Sequence, residues 1–227
     1  MSIPIPAKAA MGALAGGATV AGGSLVYKEM SKPEVTKKSV AELIKNLKKD
    51  KRLISASALS DPSWKATWKK YREDNKSRDS DVWGVTGWTK EESIVEKDTV
   101  QGFINACKDK ISREIEGDKD PLFDQVVLYC TRDTLVIDLI AETKGKTLLT
   151  KGDNFQNDTH WKAVWDLYKK DNTSSNKWNL SDWSSANNQE NVPASFADEC
   201  VKKSQVKEHR LDQPVYTEVL KYCTKNA

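Results

Sequence analysis

Val40, Leu43, Ile44 and Leu47 recur at i, i+3, i+4 and i+7, which places four apolar side chains on one face of a helix. Ser39 stands directly before them and Glu42 follows three residues later, the spacing of a capping box. A second helix opens at Asp61-Pro62, a capping carboxylate followed by proline at the first helical position, and carries Trp64, Trp68 and Tyr71 at i, i+4 and i+7. A third, from about Asp98, sets Val100, Phe103, Ile104, Cys107 and Ile111 on one side, and a fourth opens with Pro121 and carries Val126, Val127 and Tyr129 into Cys130. A loop of nine residues, Ser112 to Asp120, joins the last two as an antiparallel pair. These patterns predict an all-α unit of about four helices.

The same pattern then returns. "WKATWKKYREDN" from Trp64 and "WKAVWDLYKKDN" from Trp161 share seven of twelve positions, 97 residues apart. "WGVTGW" (Trp83 to Trp88) is answered by "WNLSDW" (Trp178 to Trp183), "FINAC" by "FADEC", "PLFDQVVLYCT" by "PVYTEVLKYCT", and "VAELI" by "VIDLI". The offset drifts only between 93 and 97, and all eight Trp and all four Cys fall at paired positions. Repetition at one period in one order predicts a tandem duplication. The expected organisation is an N-terminal segment over residues 1–30, a linker over 31–37, and helical repeat units over 38–133 and 134–227. Trp64, Trp68 and Tyr71, with Trp161, Trp165 and Tyr168, are expected in the core, since aromatic stripes at helical spacing pack inward. The W-x4-W segments hold Gly, Asn, Thr and Ser between helices and read as loops pinned by two large rings, so Trp83, Trp88, Trp178 and Trp183 are candidate contact residues.

Charge narrows the partners. The chain has 227 residues and a net charge of +3. Residues 38–133 carry 19 basic against 18 acidic side chains, and residues 134–227 carry 13 of each. Neither unit has the basic excess of a nucleic-acid binder, and "KNLKKDKR" from Lys45 to Arg52 reads as a solvated helix face. Residues 9–27 are uncharged, with five glycines and six alanines. Nineteen residues are just enough to cross a bilayer, and Gly12 and Gly16 have a small-residue spacing that permits close helix contact. This segment is expected to anchor the chain in a membrane; a cleaved signal peptide leading to secretion and a flexible tail are the alternatives. Lys28, Lys32, Lys37 and Lys38 follow it, and counted alone they keep the repeats in the cytoplasm.

The cysteines oppose that count. Cys107 and Cys130, like Cys200 and Cys223, lie 23 residues apart. An even number at duplicated spacing suggests one disulfide inside each unit, although four cysteines allow three connectivities. Disulfides persist outside the reducing cytosol, which places the repeats on the outer face. No CxxC is present and the two histidines, His160 and His209, are not at paired positions, so no metal and no cofactor are expected. No phosphate-binding loop, dinucleotide fingerprint, zinc-protease motif or nucleophile elbow occurs, and no catalytic residue is nominated. The acidic run "EESIVEKD" (Glu91 to Asp98) holds four acids where its partner "NQEN" has one, so paired carboxylates are not a shared feature.

The start "AKAAMGALAGGATVAGG" with "LVYKEM", followed by "FINACKDK" and "VLYCT", resembles the paralogous uncharacterised protein families of haemotropic mycoplasmas. The resemblance covers nearly the whole chain, through loose motifs. It implies a membrane-anchored or secreted, surface-exposed protein of a wall-less bacterium that lives on red cells. A host-cell surface or host protein is the implied partner, and a role in host interaction or antigenic variation the implied function. It brings no catalytic residues. The expected function is therefore a non-enzymatic interaction or antigen protein, anchored through residues 9–27. The alternative is an envelope-associated protein with its repeats in the cytoplasm and an enzymatic role.

Overall fold

A computed structural model describes residues 36–227, which form one compact unit. The candidate anchor over residues 9–27 lies outside the described residues, and so does most of the linker over 31–37. Among the described residues no helix is long and apolar enough to cross a membrane.

The fold is mostly helical. In the first half, Val40–Leu47 (α1), Pro62–Asn75 (α2), Gln101–Ile111 (α3) and Pro121–Cys130 (α4) follow one another. In the second, Val136–Glu142 (α5), Thr159–Asp171 (α6), Trp183–Ala186 (α7), Ala194–Ser204 (α8) and Pro214–Tyr222 (α9) do so. The capping signals act where the sequence puts them. Ser39 Oγ accepts the Glu42 N–H at 3.2 Å, Asp61 accepts from Ser63 and Trp64, and Asp158 accepts from His160 and Trp161. Such caps satisfy orphan N–H groups of the first turn, and each is worth about 1 kcal/mol. The third helix of each half starts three residues later than its pattern suggested. Thr99 N–H donates to Leu59 O at 2.9 Å and holds the preceding chain extended, and Pro193 stands just before α8. The second half also winds a short extra turn, α7, which begins at the last residue of its W-x4-W segment.

The all-α expectation needs one correction: short antiparallel ribbons close each half. Lys38–Ser39 (β1) pairs with Glu114–Ile115 (β3), Lys51–Leu53 (β2) with Thr131–Asp133 (β4), and Lys146–Leu148 (β5) with Thr224–Asn226 (β6). None exceeds three residues, too few to show the period-two alternation by which a strand is recognised. Two of them, β2–β4 and β5–β6, tie the end of the last helix back to the chain leaving the first, and β1–β3 ties the chain entering α1 to the chain leaving α3. Ile54 N–H meets Cys130 O at 3.0 Å and Leu149 N–H meets Cys223 O at 2.8 Å.

Two hydrophobic clusters fill the molecule, one drawn entirely from Val40 to Cys130 and the other from Val136 to Cys223. They meet at a polar seam. Thr134 N–H donates to Asp50 O at 2.8 Å, and its hydroxyl to Lys49 O at 2.8 Å. Arg132 forks onto Asp138 at 2.6 and 2.8 Å, Lys51 and Lys207 both reach Asp133 at 2.6 Å, and Arg52 meets Glu142 at 3.0 Å. The Lys207 and Lys51 ammonium groups hold the Asp133 carboxyl below its ordinary range. Burial pushes Asp138 up, but the Arg132 guanidinium and the Leu135 N–H outweigh it and the net shift is downward.

Candidate functional site

Cys107–Cys130 and Cys200–Cys223 are disulfides, each with its Cα atoms 5.6 Å apart, and no cysteine among the described residues is free. They staple α3 to α4 and α8 to α9, and all four sulfur-bearing residues are buried. Closing a loop of about two dozen residues stabilises by roughly 2–4 kcal/mol, mainly by restricting the unfolded chain.

The aromatic phrase lies against these staples. Trp68 is 1 % and Trp165 0 % exposed, and Trp64, Tyr71, Trp161 and Tyr168 are buried beside them. The rings meet in matched pairs: Trp68 stacks on Tyr71 at 5.8 Å and Trp165 on Tyr168 at 5.9 Å, with Phe103 and Phe196 against each set. Each indole of the first position finds a carbonyl, Trp64 Nε1 donating to Ala56 O and Trp161 Nε1 to Thr150 O. The two tyrosine hydroxyls are pins for the W-x4-W segments. Tyr71 Oη accepts the Trp83 N–H at 3.0 Å and Tyr168 Oη accepts the Trp178 N–H at 2.9 Å. Burial pushes Tyr168 up to about 12, and burial with the Asp81 bond raises Tyr71 further, so both stay neutral at physiological pH. The turn after each first tryptophan is left-handed, through Gly84 at φ 62° and Asn179 at φ 53°, residue types that tolerate that region.

The candidate contact residues sit on this frame but not equally. Trp178 is buried, whereas Trp83, Trp88 and Trp183 are half-buried. Trp83 Nε1 donates to Gln125 Oε1 at 2.7 Å, and Lys110 Nζ lies 5.0 Å over its ring. Trp178 Nε1 donates instead to Glu218 Oε2 at 2.8 Å, under Lys203 at 5.1 Å. Around Trp178 the surface is ionic: Lys177 pairs with Glu218 at 2.7 Å and Lys221 with Asp171 at 2.6 Å. Burial pushes the Glu218 carboxyl up, but Lys177 and the Trp178 indole outweigh it and bring it below its usual range. The positions of Lys177 and Lys221 are taken in the first half by Val82 and Leu128, each 45 % exposed. Both rings lie under a lysine, but the first half has exposed apolar side chains at two positions where the second has ion pairs.

One buried group had no place in the sequence reading. Arg72 is 1 % exposed, stacked 5.5 Å over Trp68, and bonded to Glu91 at 3.0 Å and to Val95 O at 2.6 Å. Glu91 also takes Lys97 at 2.5 Å, so the acidic run "EESIVEKD" includes the strap that Arg72 holds down. The signal was there: Arg72 lies four residues after Trp68, on the buried face of α2. Its counterpart Lys169 lies half-buried over Trp165 at 5.5 Å, bonds Gln189 O at 2.9 Å and pairs with Asp166 at 2.9 Å. His160 and His209 are exposed and lie in different elements, and no group of three or more metal-ligating side chains occurs among the described residues. No protein family, curated protein or solved structure matches the chain.

Proposed function

We propose that this is a membrane-anchored, surface-exposed interaction or antigen protein without catalytic activity, built from two copies of one disulfide-stapled helical unit. The observation that carries the proposal is the pair of buried disulfides, each inside its own core and each at the same place in its half. Such bonds are kept where thiols are not held reduced, which favours the outer face of the membrane over the cytoplasm. The matched ring pairs, capping carboxylates and closing ribbons support a duplicated unit whose core stays fixed while its surface changes. That division suits a displayed module, because contact residues can vary without loss of the fold. The half-exposed Trp83 with Val82 and Leu128 is the surface best suited to a protein partner, since exposed apolar rings at a rim are what interfaces use. Residues 9–27 supply the anchor, and the resemblance to paralogous uncharacterised protein families of haemotropic mycoplasmas, with the membrane anchoring or secretion it implies, agrees with display toward a host.

Trypsin applied to intact cells tests the location. The lysines of residues 28–38 should be cut, releasing a fragment that begins near Ser39 and stays folded. A chain that resists until the cells are lysed would place the repeats in the cytoplasm and overturn the proposal.

A further inference from the structure

The basic run from Lys45 to Arg52 is not an evenly solvated face. It curls around the end of α1 and borders a groove of about 620 Å³, of the size that holds a small ligand. Ala41, Ile44 and Leu53, buried or half-buried, give the groove an apolar lining, while Lys45 and Lys49 stand exposed along it. Glu42, Glu142 and Lys51 line it too, but each is already paired, with Lys38 at 2.8 Å, Arg52 at 3.0 Å and Asp133 at 2.6 Å. Lys49 Nζ rests on Lys45 O at 2.8 Å, so the two ammonium-bearing residues lie side by side, and among the described residues neither has a carboxylate within ion-pair distance. Arg52 completes the lining. Its two terminal nitrogens are engaged by Glu142, Thr134 and backbone carbonyls, but its Nε–H is enclosed and has no acceptor among the described residues. An enclosed donor without a partner costs free energy that an arriving acceptor recovers.

The second half does not repeat this. Following the paired positions, Ala141 stands for Lys45 and Thr147 for Arg52, while Lys144 and Lys146 remain of the four cations. Arg52 and Lys51 also tie the seam, through Glu142, Thr134 and Asp133. Lys45 has no such partner and is particular to this groove.

We infer that the groove binds the phosphate headgroup of an anionic phospholipid, Lys45 and Lys49 taking the charge and the apolar lining taking the first carbons of the acyl chains. Phosphate oxygens accept charge-assisted bonds from ammonium and guanidinium groups together. The apolar lining favours an amphiphile over a sulfated polysaccharide or a nucleic acid, and neither half has the net charge that a polyanion would need. Only residues 28–39 separate α1 from the segment proposed to enter the bilayer, so the lipid source rests on that membrane reading.

The test uses the full chain with vesicles of phosphatidylcholine alone and of phosphatidylcholine with one third phosphatidylglycerol, and reads acylation of individual lysines by mass spectrometry. Labelling of Lys45 and Lys49 should fall by about five-fold or more on the anionic vesicles, as roughly 1 kcal/mol per lysine implies, while Lys144 and Lys170 stay unchanged. Equal labelling of Lys45 and Lys49 on both vesicles would overturn the site. So would equal protection by inorganic phosphate or by heparin in solution, which would make it a general anion site. A chain that does not float with phosphatidylcholine at all would defeat the anchor, not the groove. In that case flotation with anionic vesicles, weakened about 30-fold in Lys45→Gln/Lys49→Gln, still supports the headgroup site, and no flotation with either overturns it.

Discussion

Trp83 and Trp178 hang from the same frame and face different surroundings. Each has its N–H on a buried tyrosine hydroxyl and its indole nitrogen on a side chain of its half's last helix. Yet Trp178 lies under paired charges, and Trp83 has valine and leucine at the corresponding places. The contrast separates two layers of the molecule. The stapled aromatic core is built alike in the two halves, down to a left-handed residue in the turn. The side chains that cover it differ between them. Arg72 and Lys169 differ likewise at the edge of the core, one fully buried with a strap across it and the other half-buried over its tryptophan.

The comparison is tested hardest in the shared core. Trp68→Ala and Trp165→Ala should each cost about 3–5 kcal/mol, enough to unfold a marginal unit, and urea unfolding should show both losses to be of similar size. A Trp68→Ala chain with an unchanged midpoint would remove the ring from the core. Next are the staples: replacing Cys107 and Cys130 by serine, or Cys200 and Cys223, should cost about 2–4 kcal/mol each by the same measurement. A large inequality would show that one half leans on its bond more than the other.

The strap is a smaller effect confined to one half. Arg72→Met should cost about 1.5–3 kcal/mol and raise amide exchange across residues 89–98, because Val95 O loses a charged donor. The equivalent Lys169→Met should leave residues 186–192 with a much smaller change. The seam between the halves should weaken in acid. Asp133 and Asp138 both have folded-state pKa values below their ordinary ones, so their contribution is present in full above about pH 5. It should be lost as pH falls below about 4 and through the depressed folded values, and tryptophan fluorescence against pH, compared with Asp138→Asn, would report it. The smallest change is on the cover. Gln125→Glu, copying Glu218, should move stability by no more than about 0.5 kcal/mol while altering any partner contact at Trp83.

Much of the frame was legible in the sequence, and for physical reasons. Helix starts were visible because Ser39, Asp61 and Asp158 are local signals, and the core because Trp64, Trp68 and Tyr71 repeat at helical spacing. Cysteine pairing was legible as spacing alone, with three connectivities open, until the antiparallel packing of α3 on α4 brought Cys107 and Cys130 together. The ribbons were not legible, since two or three residues carry no period and their pairing joins segments as far apart as Lys51 and Asp133. Nor was the inequality of the tryptophans. Trp178 is packed by Phe196, Lys203, Glu218 and Tyr222, which converge from distant positions, and identical W-x4-W spacing says nothing about that.

The most direct measurement is the state of the cysteines in native material. Cells lysed with thiols blocked, followed by mass spectrometry of unreduced peptides, should give linked pairs 107–130 and 200–223 and no blocked cysteine. Four blocked, free thiols would contradict external display, and a crossed linkage such as 107–223 would contradict two separately stapled units.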